Sequence, residues 1–276
     1  MENFLETHSE PHGLRCDTRY PVMFVHGVGY RNKSLSNYWG RIPQALESEG
    51  AKLFYSGQSA WDTIENNARW IKNDILRVLR ETGAKKVNLI AHSKGGLDAR
   101  YMIHDLGMGP KVASLTTLST PHRGSKTIDE LRRLPPVIFK AAAVTVNTAF
   151  RLMGEKKPDF YNGCRQLSSI RCERFNRKTP NVPGVFYQSY TSVIHCSLCN
   201  LLMILPNYVV RRVEGENDGL VTVDSAKWGC FRGVITGDVR GISHVDIIDS
   251  KRCDNEGFDS RQFFIELVEE LKYMGF

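Results

Sequence analysis

The chain predicts an α/β fold with a mostly parallel central sheet flanked by helices, and three observations carry that expectation. Short apolar runs at residues 21–25, 51–55, 87–90, 112–118 and 184–190 alternate with stretches of helical period, the rhythm of strands joined by crossover helices. The run at 87–90 passes straight into a helix through a serine flanked by small residues. With 276 residues and 41% hydrophobic content, the chain is long enough to bury a substantial core, and one domain spanning residues 1–276 with an insertion at residues 127–180 is expected.

The first strand, Tyr20-Pro21-Val22-Met23-Phe24-Val25, ends in His26-Gly27-Val28-Gly29, and residues 51–55 read as the second. Trp61, Ile64, Ala68, Ile71, Ile75, Val78 and Leu79 recur at three- and four-residue steps, which predicts an amphipathic helix over residues 61–80 closed by Gly83. Residues 87–90 form a buried strand and residues 97–103 the helix after it. Residues 112–118 are a strand leading into Thr120-Pro121-His122-Arg123-Gly124-Ser125, residues 184–190 are the next, and residues 208–210 look strand-like. A helix over residues 260–274 closes the chain, with Asp259 and Gln262 at capping-box spacing. Residues 127–180 break this rhythm. After Pro135-Pro136, residues 137–153 predict a helix apolar over most of its surface, with a narrow stripe of Lys140, Asn147 and Arg151. Such a helix is either core or a lid over an apolar pocket.

The strand-to-helix joint reads Ala91-His92-Ser93-Lys94-Gly95. A serine hydroxyl becomes a useful nucleophile when a sharp turn exposes it to a base, and small residues two positions either side leave room for that turn. Downstream, Asn217-Asp218-Gly219 puts a carboxylate on a turn, where it can orient an imidazole or simply form an Asx turn. Gly241-Ile242-Ser243-His244 puts a histidine in a loop. Ser93, Asp218 and His244 thus stand in the order nucleophile, acid, base. The glycine-rich end of the first strand can aim backbone N–H groups at developing negative charge, which makes the amides of Val28 and Lys94 the candidate oxyanion hole. His26, also at a strand end, is a rival base, and His92 reads as a packing residue.

These pieces together resemble the bacterial true lipases of the α/β-hydrolase fold, in particular the Pseudomonas, Burkholderia and Proteus group. The likeness is carried by Pro21-Val22-Met23-Phe24-Val25-His26-Gly27, residues 87–100 and Thr120-Pro121-His122-Arg123-Gly124-Ser125, and returns at Asn217-Asp218-Gly219-Leu220-Val221 and Ser243-His244-Val245-Asp246. It implies a triacylglycerol lipase or carboxylesterase working through an acyl-enzyme, a lipid or small ester substrate, an interfacial substrate surface, and a lid between the strand after the elbow and the acid. It also implies a structural calcium held by two aspartates and backbone oxygens. Asp246 matches the aspartate two residues after the histidine, but the partner's place holds His195-Cys196-Ser197-Leu198-Cys199-Asn200, so Asp246 is read as a structural hydrogen-bond partner and no cofactor is expected. An acyltransferase or thioesterase using the same acyl-serine is the second enzymatic reading. A non-catalytic lipid-binding protein is the third, and it would need none of Ser93, Asp218 and His244.

The formal net charge is +7. Between Pro121 and Pro180 stand 13 Lys or Arg and 5 Asp or Glu, so the basic excess is local to this stretch, which contains the insertion. Basic residues beside apolar surface favour transient contact with anionic lipid interfaces. A nucleic-acid partner is not expected, because no recognition motif or aromatic stacking platform accompanies the patch. Seven cysteines leave at least one unpaired in a monomer, and the single Cys196/Cys199 pair lacks the further ligands a zinc site needs. No signal-peptide pattern or bilayer-length apolar run is visible, which makes a cytoplasmic location the expectation, with export without a cleaved signal left open. Nothing in the sequence sets an oligomeric state.

Overall fold

The computed structural model describes residues 14–28, 38–59, 61–133, 135, 137, 140, 143–144, 147–148, 151, 159–195 and 210–276. Its centre is a six-stranded sheet made of β1 (Val22–Val25), β2 (Leu53–Tyr55), β3 (Val87–His92), β4 (Val112–Leu118), β5 (Phe186–Ser192) and β6 (Cys230–Ile235). The spatial order is β2-β1-β3-β4-β5-β6 and every pairing is parallel. Parallel strands are covered on both faces, which is why β1, β3 and β4 are buried at every position. One apolar layer packs Phe24, Trp39, Leu46 and Phe264, and the other packs Met23, Ile71, Leu89 and Met102.

The helices are α1 (Ile42–Ser48), α2 (Ile64–Thr82), α3 (Lys94–His104), α4 (Lys126–Arg133), α5 (Phe160–Gln166), α6 (Ser169–Lys178), α7 (Val223–Ala226) and α8 (Ser260–Tyr273). α2 begins later than the apolar period suggests because Thr63 caps it, its hydroxyl accepting from Asn66 N, while Trp61 is buried outside the helix. Gly83 ends α2 in the left-handed conformation, its N–H donating to Leu79 O. Asp259 caps α8 by accepting from Arg261 N, but the expected reciprocal box does not form: Gln262 donates to Glu266 instead.

One reading is corrected, and two elements stand where none was expected. Val210 is helical, within a turn of helix over residues 210–214, so the strand expected at residues 208–210 is absent at its one described residue. β6 and α1 carry no apolar run strong enough to announce them: β6 alternates exposed and half-buried positions at the sheet edge. Of the helix expected over residues 137–153, Val137, Lys140, Ala143, Val144, Asn147, Thr148 and Arg151 are described and helical. The remainder, with Phe139, Val146 and Phe150, lies outside the described residues.

Candidate active site: a serine elbow facing a buried histidine

The carboxyl ends of β1, β3 and β4 converge, and crevices there are where open parallel sheets place their sites. Ser93 joins β3 to α3 with φ 55° and ψ −135°, a conformation that costs a non-glycine residue about 1–3 kcal/mol and persists only where its surroundings enforce it. They do so here. Ser93 N donates to Leu118 O at 2.9 Å and Ser93 O accepts from Thr120 Oγ1 at 2.7 Å, so the end of β4 and the loop after it hold both backbone groups of the serine. A Cβ at Gly95 would lie 2.4 Å from His26 O, and one at Gly27 2.6 Å from Ser93 Cβ. The small residues around the serine are therefore required by the close approach of β1's end.

His244 reaches this turn from the loop between β6 and α8. Its Nε2 lies 3.0 Å from Ser93 Oγ and its Nδ1 2.8 Å from Asp218 Oδ2, with all three residues buried. The carboxylate fixes the proton on Nδ1, which leaves Nε2 to accept the serine's proton. Asp218 Oδ1 accepts from Leu220 N at 3.0 Å and Val221 N at 2.8 Å. The Asx turn and the histidine contact are thus two oxygens of one carboxylate, not competing readings. His26 is placed differently: its ring nitrogens lie 2.8 Å from Gly27 O and 3.1 Å from Gln58 O, which ties it to a neighbouring loop.

Lys94 follows the serine in sequence, and Gly27, the residue before Val28, lies against it in space. Lys94 opens α3, so its amide is among those the helix leaves without an internal acceptor. Gly27 N is already committed, donating to Tyr38 Oη at 2.9 Å.

The Lys94 side chain does something the sequence reading missed. It is buried, with Nζ 2.7 Å from Asp98 Oδ1, and Asn67 Nδ2 donates to Asp98 Oδ2 at 2.9 Å. The i,i+4 spacing was the available signal. Burial pushes the Asp98 carboxyl up to about 6, against the pull of Lys94 and Asn67. The folded chain therefore binds this proton more tightly than the unfolded chain, whose aspartate titrates near about 3.9. The resulting stability is complete below about pH 4 and is lost as pH rises through about 6. Asp98→Asn is expected to flatten the urea-midpoint profile over that window; an unchanged slope contradicts this.

The resemblance to the calcium-bearing lipases runs through Asp246, whose described surroundings are a hydroxyl and an ammonium rather than a set of carboxylates. Calcium takes six or more hard oxygens. Asp246 Oδ2 accepts from Ser243 Oγ, Lys251 Nζ lies 3.1 Å from Oδ1, and residues 174–213 contain no acid at all. Among the described residues no group of three or more His, Cys, Asp or Glu could hold a metal; Cys196 and Cys199 lie outside them. The loop after His244 is instead fastened by Asp249, which accepts from Arg41 N, Nε and Nη2 at 2.7, 2.9 and 2.8 Å.

Comparison with known proteins identifies the family and the fold. A family model described as palmitoyl protein thioesterase matches residues 21–187. Triacylglycerol lipase 2 of Saccharomyces cerevisiae is 30% identical over 267 residues, covering 90% of this chain and 77% of that protein. The chain belongs to the triacylglycerol lipase family, within the set that the thioesterase model recognises. The lipase of Pseudomonas fragi extends the match to 94% of this chain and 98% of its own length at 29% identity. The fold is shared with a mature Bacillus licheniformis lipase (TM-score 0.66, 18% identity, 90% of this chain and 91% of that one). It is also shared with a metagenomic carboxyl esterase (TM-score 0.70, 12% identity, 93% and 76%). The chain is an α/β-hydrolase and a carboxylic ester hydrolase. No helix among the described residues is long and apolar enough to cross a membrane.

Proposed function

We propose that this lipase-family chain hydrolyses carboxylic esters of lipids with Ser93 as nucleophile, His244 as general base and acid, and Asp218 as the group that orients His244. The observation that carries the reading is the continuous contact from Ser93 Oγ through both nitrogens of His244 to Asp218. Ser93 Oγ attacks the ester carbonyl carbon while its proton passes to His244 Nε2. The carbonyl oxygen becomes an oxyanion facing the amides of Val28 and Lys94, and the commitment of Gly27 N to Tyr38 supports Val28 as the donor on that loop. His244 then gives its proton to the departing alcohol, leaving an acyl-serine. Water repeats the attack in reverse, returning a carboxylic acid and the free serine. A panel of p-nitrophenyl esters from acetate to palmitate, with and without emulsified triglyceride, tests the substrate class; turnover confined to the shortest esters overturns the lipid assignment.

The family model favours thioesters as a second acyl donor for the same site. A thiolate leaves without needing a proton, so the same acyl-serine forms with less demand on His244. Hydrolysis of palmitoyl-CoA measured beside p-nitrophenyl palmitate decides this.

Residues 127–180 are the lid in this reading, and the support is exposed apolar surface beside positive charge. Val137 and Val144 are 77% and 61% exposed on the helical stretch that also carries Lys140 and Arg151. At a lipid surface such side chains find apolar surroundings, and each nearby Lys or Arg adds up to about 1 kcal/mol at an anionic one. Val137→Glu and Val144→Glu are expected to reduce turnover of emulsions several-fold and to spare soluble short-chain esters. Equal losses on both substrates would make the segment part of the core.

The chemistry needs no metal, since nucleophile, base and oxyanion donors all come from the chain. Treatment with EDTA is expected to leave initial rates and the melting temperature unchanged. Loss of either, recovered specifically with calcium, would return Asp246 to the role of ligand.

A further inference from the structure

The residue before the nucleophile makes contacts that packing alone does not require. His92 is buried, its Nε2 lies 3.0 Å from the backbone oxygen of His244, and its Nδ1 lies 2.6 Å from Tyr38 Oη. A carbonyl only accepts, so Nε2 carries the proton and Nδ1 is the acceptor of the tyrosine's hydrogen. Tyr38 Oη in turn accepts from Gly27 N at 2.9 Å. Every bond in this chain therefore runs in one direction, from Gly27 N–H to Tyr38 O–H to His92 and from His92 N–H to His244 C=O, an order in which each bond polarises the next.

We propose that His92 is a positioning residue that sets the distance between the oxyanion loop and the base. Its bonds reach the two loops that must be held in register about Ser93, through Tyr38 to Gly27, the residue before Val28, and directly to His244, which faces the serine. His244 N is held as well, donating to Asp218 O at 2.8 Å, so the His92 bond is the one that fixes the opposite end of the same residue. The rings of His92 and His244 lie 4.5 Å apart, and burial together with the neighbouring imidazole keeps His92 neutral. A neutral neighbour lets His244 take up a proton in turnover without like-charge repulsion. Tyr38 is the tautomer lock: without its hydrogen, Nδ1 of His92 can take the proton, and Nε2 would then turn a lone pair on the His244 oxygen.

This inference rests on the assignment of Ser93 and His244 in the proposed function, and its test separates the two. His92→Leu, His92→Gln and Tyr38→Phe are compared with wild type on a soluble p-nitrophenyl ester, alongside fluorophosphonate inactivation rates and far-UV circular dichroism. His92→Leu is expected to lower kcat and the inactivation rate by about 100-fold with little change in KM, the scale of a misplaced reacting group. His92→Gln, which keeps a donor for the His244 oxygen, should recover about tenfold of that loss. Tyr38→Phe should lower kcat by about tenfold, and ring 15N shifts of His92 should change from the Nε2–H tautomer to a mixture. If His92→Leu does not fold, Tyr38→Phe carries the test alone. Wild-type kcat with an unchanged His92 tautomer in Tyr38→Phe overturns the inference, as does wild-type kcat in His92→Leu. Neither result touches the nucleophile assignment, which fails only if Ser93→Ala keeps turning over ester.

Discussion

Ser93→Ala and His244→Ala are each expected to lower ester turnover by about 10^4- to 10^6-fold, leaving the residual rate that oxyanion donors and binding supply. Asp218→Asn is expected to cost about 10^4-fold, because an amide facing Nδ1 no longer selects the productive tautomer. The losses do not add, since the three residues act as a unit, so Ser93→Ala/His244→Ala should be no slower than the worse single variant. The backbone at residue 93 gives a control on folding. With φ at 55°, glycine is more comfortable there than serine, and Ser93→Gly is expected to be inactive yet more stable by about 1 kcal/mol. Near-normal activity in His244→Ala together with loss in His26→Ala would transfer the base to β1, against the contacts of His26 with Gly27 O and Gln58 O.

Asp98→Ala is expected to be the most destabilising polar substitution near the site. It leaves the Lys94 ammonium buried beneath the elbow with no counter-charge, a loss of about 3–5 kcal/mol. That is a large part of the stability of an ordinary domain, about 5–15 kcal/mol. The attraction of the pair is largely spent on its own desolvation, so Lys94→Met/Asp98→Leu should recover most of the loss while keeping the Lys94 amide in place. Urea unfolding of the wild type, the single variant and the double variant measures this. A double variant no better than Asp98→Ala would mean that the Asn67 contact, and with it the link from α3 to α2, is the larger contribution.

The legible parts of the chain are those where burial is complete or the turn chemistry is local. β4 falls on residues 112–118 as read, because both faces are covered and every position, Ser114, Thr116 and Thr117 included, is buried. The elbow was legible because close approach to β1 forces small residues into a pattern visible within five positions. β6 was not, since an edge strand with Gly233 inside it and half its side chains exposed has no periodic signal to offer. Val210, helical where a strand was expected, ends a short apolar run, which periodicity cannot divide between helix and strand. At the site, Ser93, Asp218 and His244 could be named from turn residues and order. The roles of Tyr38 and His92 could not: Tyr38 lies 54 positions from His92, and His92 lies 152 from the His244 oxygen, separations that only the fold brings together. The Arg41 clasp on Asp249 belongs to the same class, joining positions 208 apart.

Stoichiometric reaction with a fluorophosphonate, followed by peptide mapping, tests the central assignment most directly. Attack by an activated serine on phosphorus expels fluoride and leaves a stable phosphonyl ester that marks the nucleophile itself. One adduct per chain, on the peptide bearing Ser93, abolished in Ser93→Ala and strongly slowed in His244→Ala, is the expected result. An adduct on another serine, or full ester turnover in chains whose Ser93 is phosphonylated, would contradict the account.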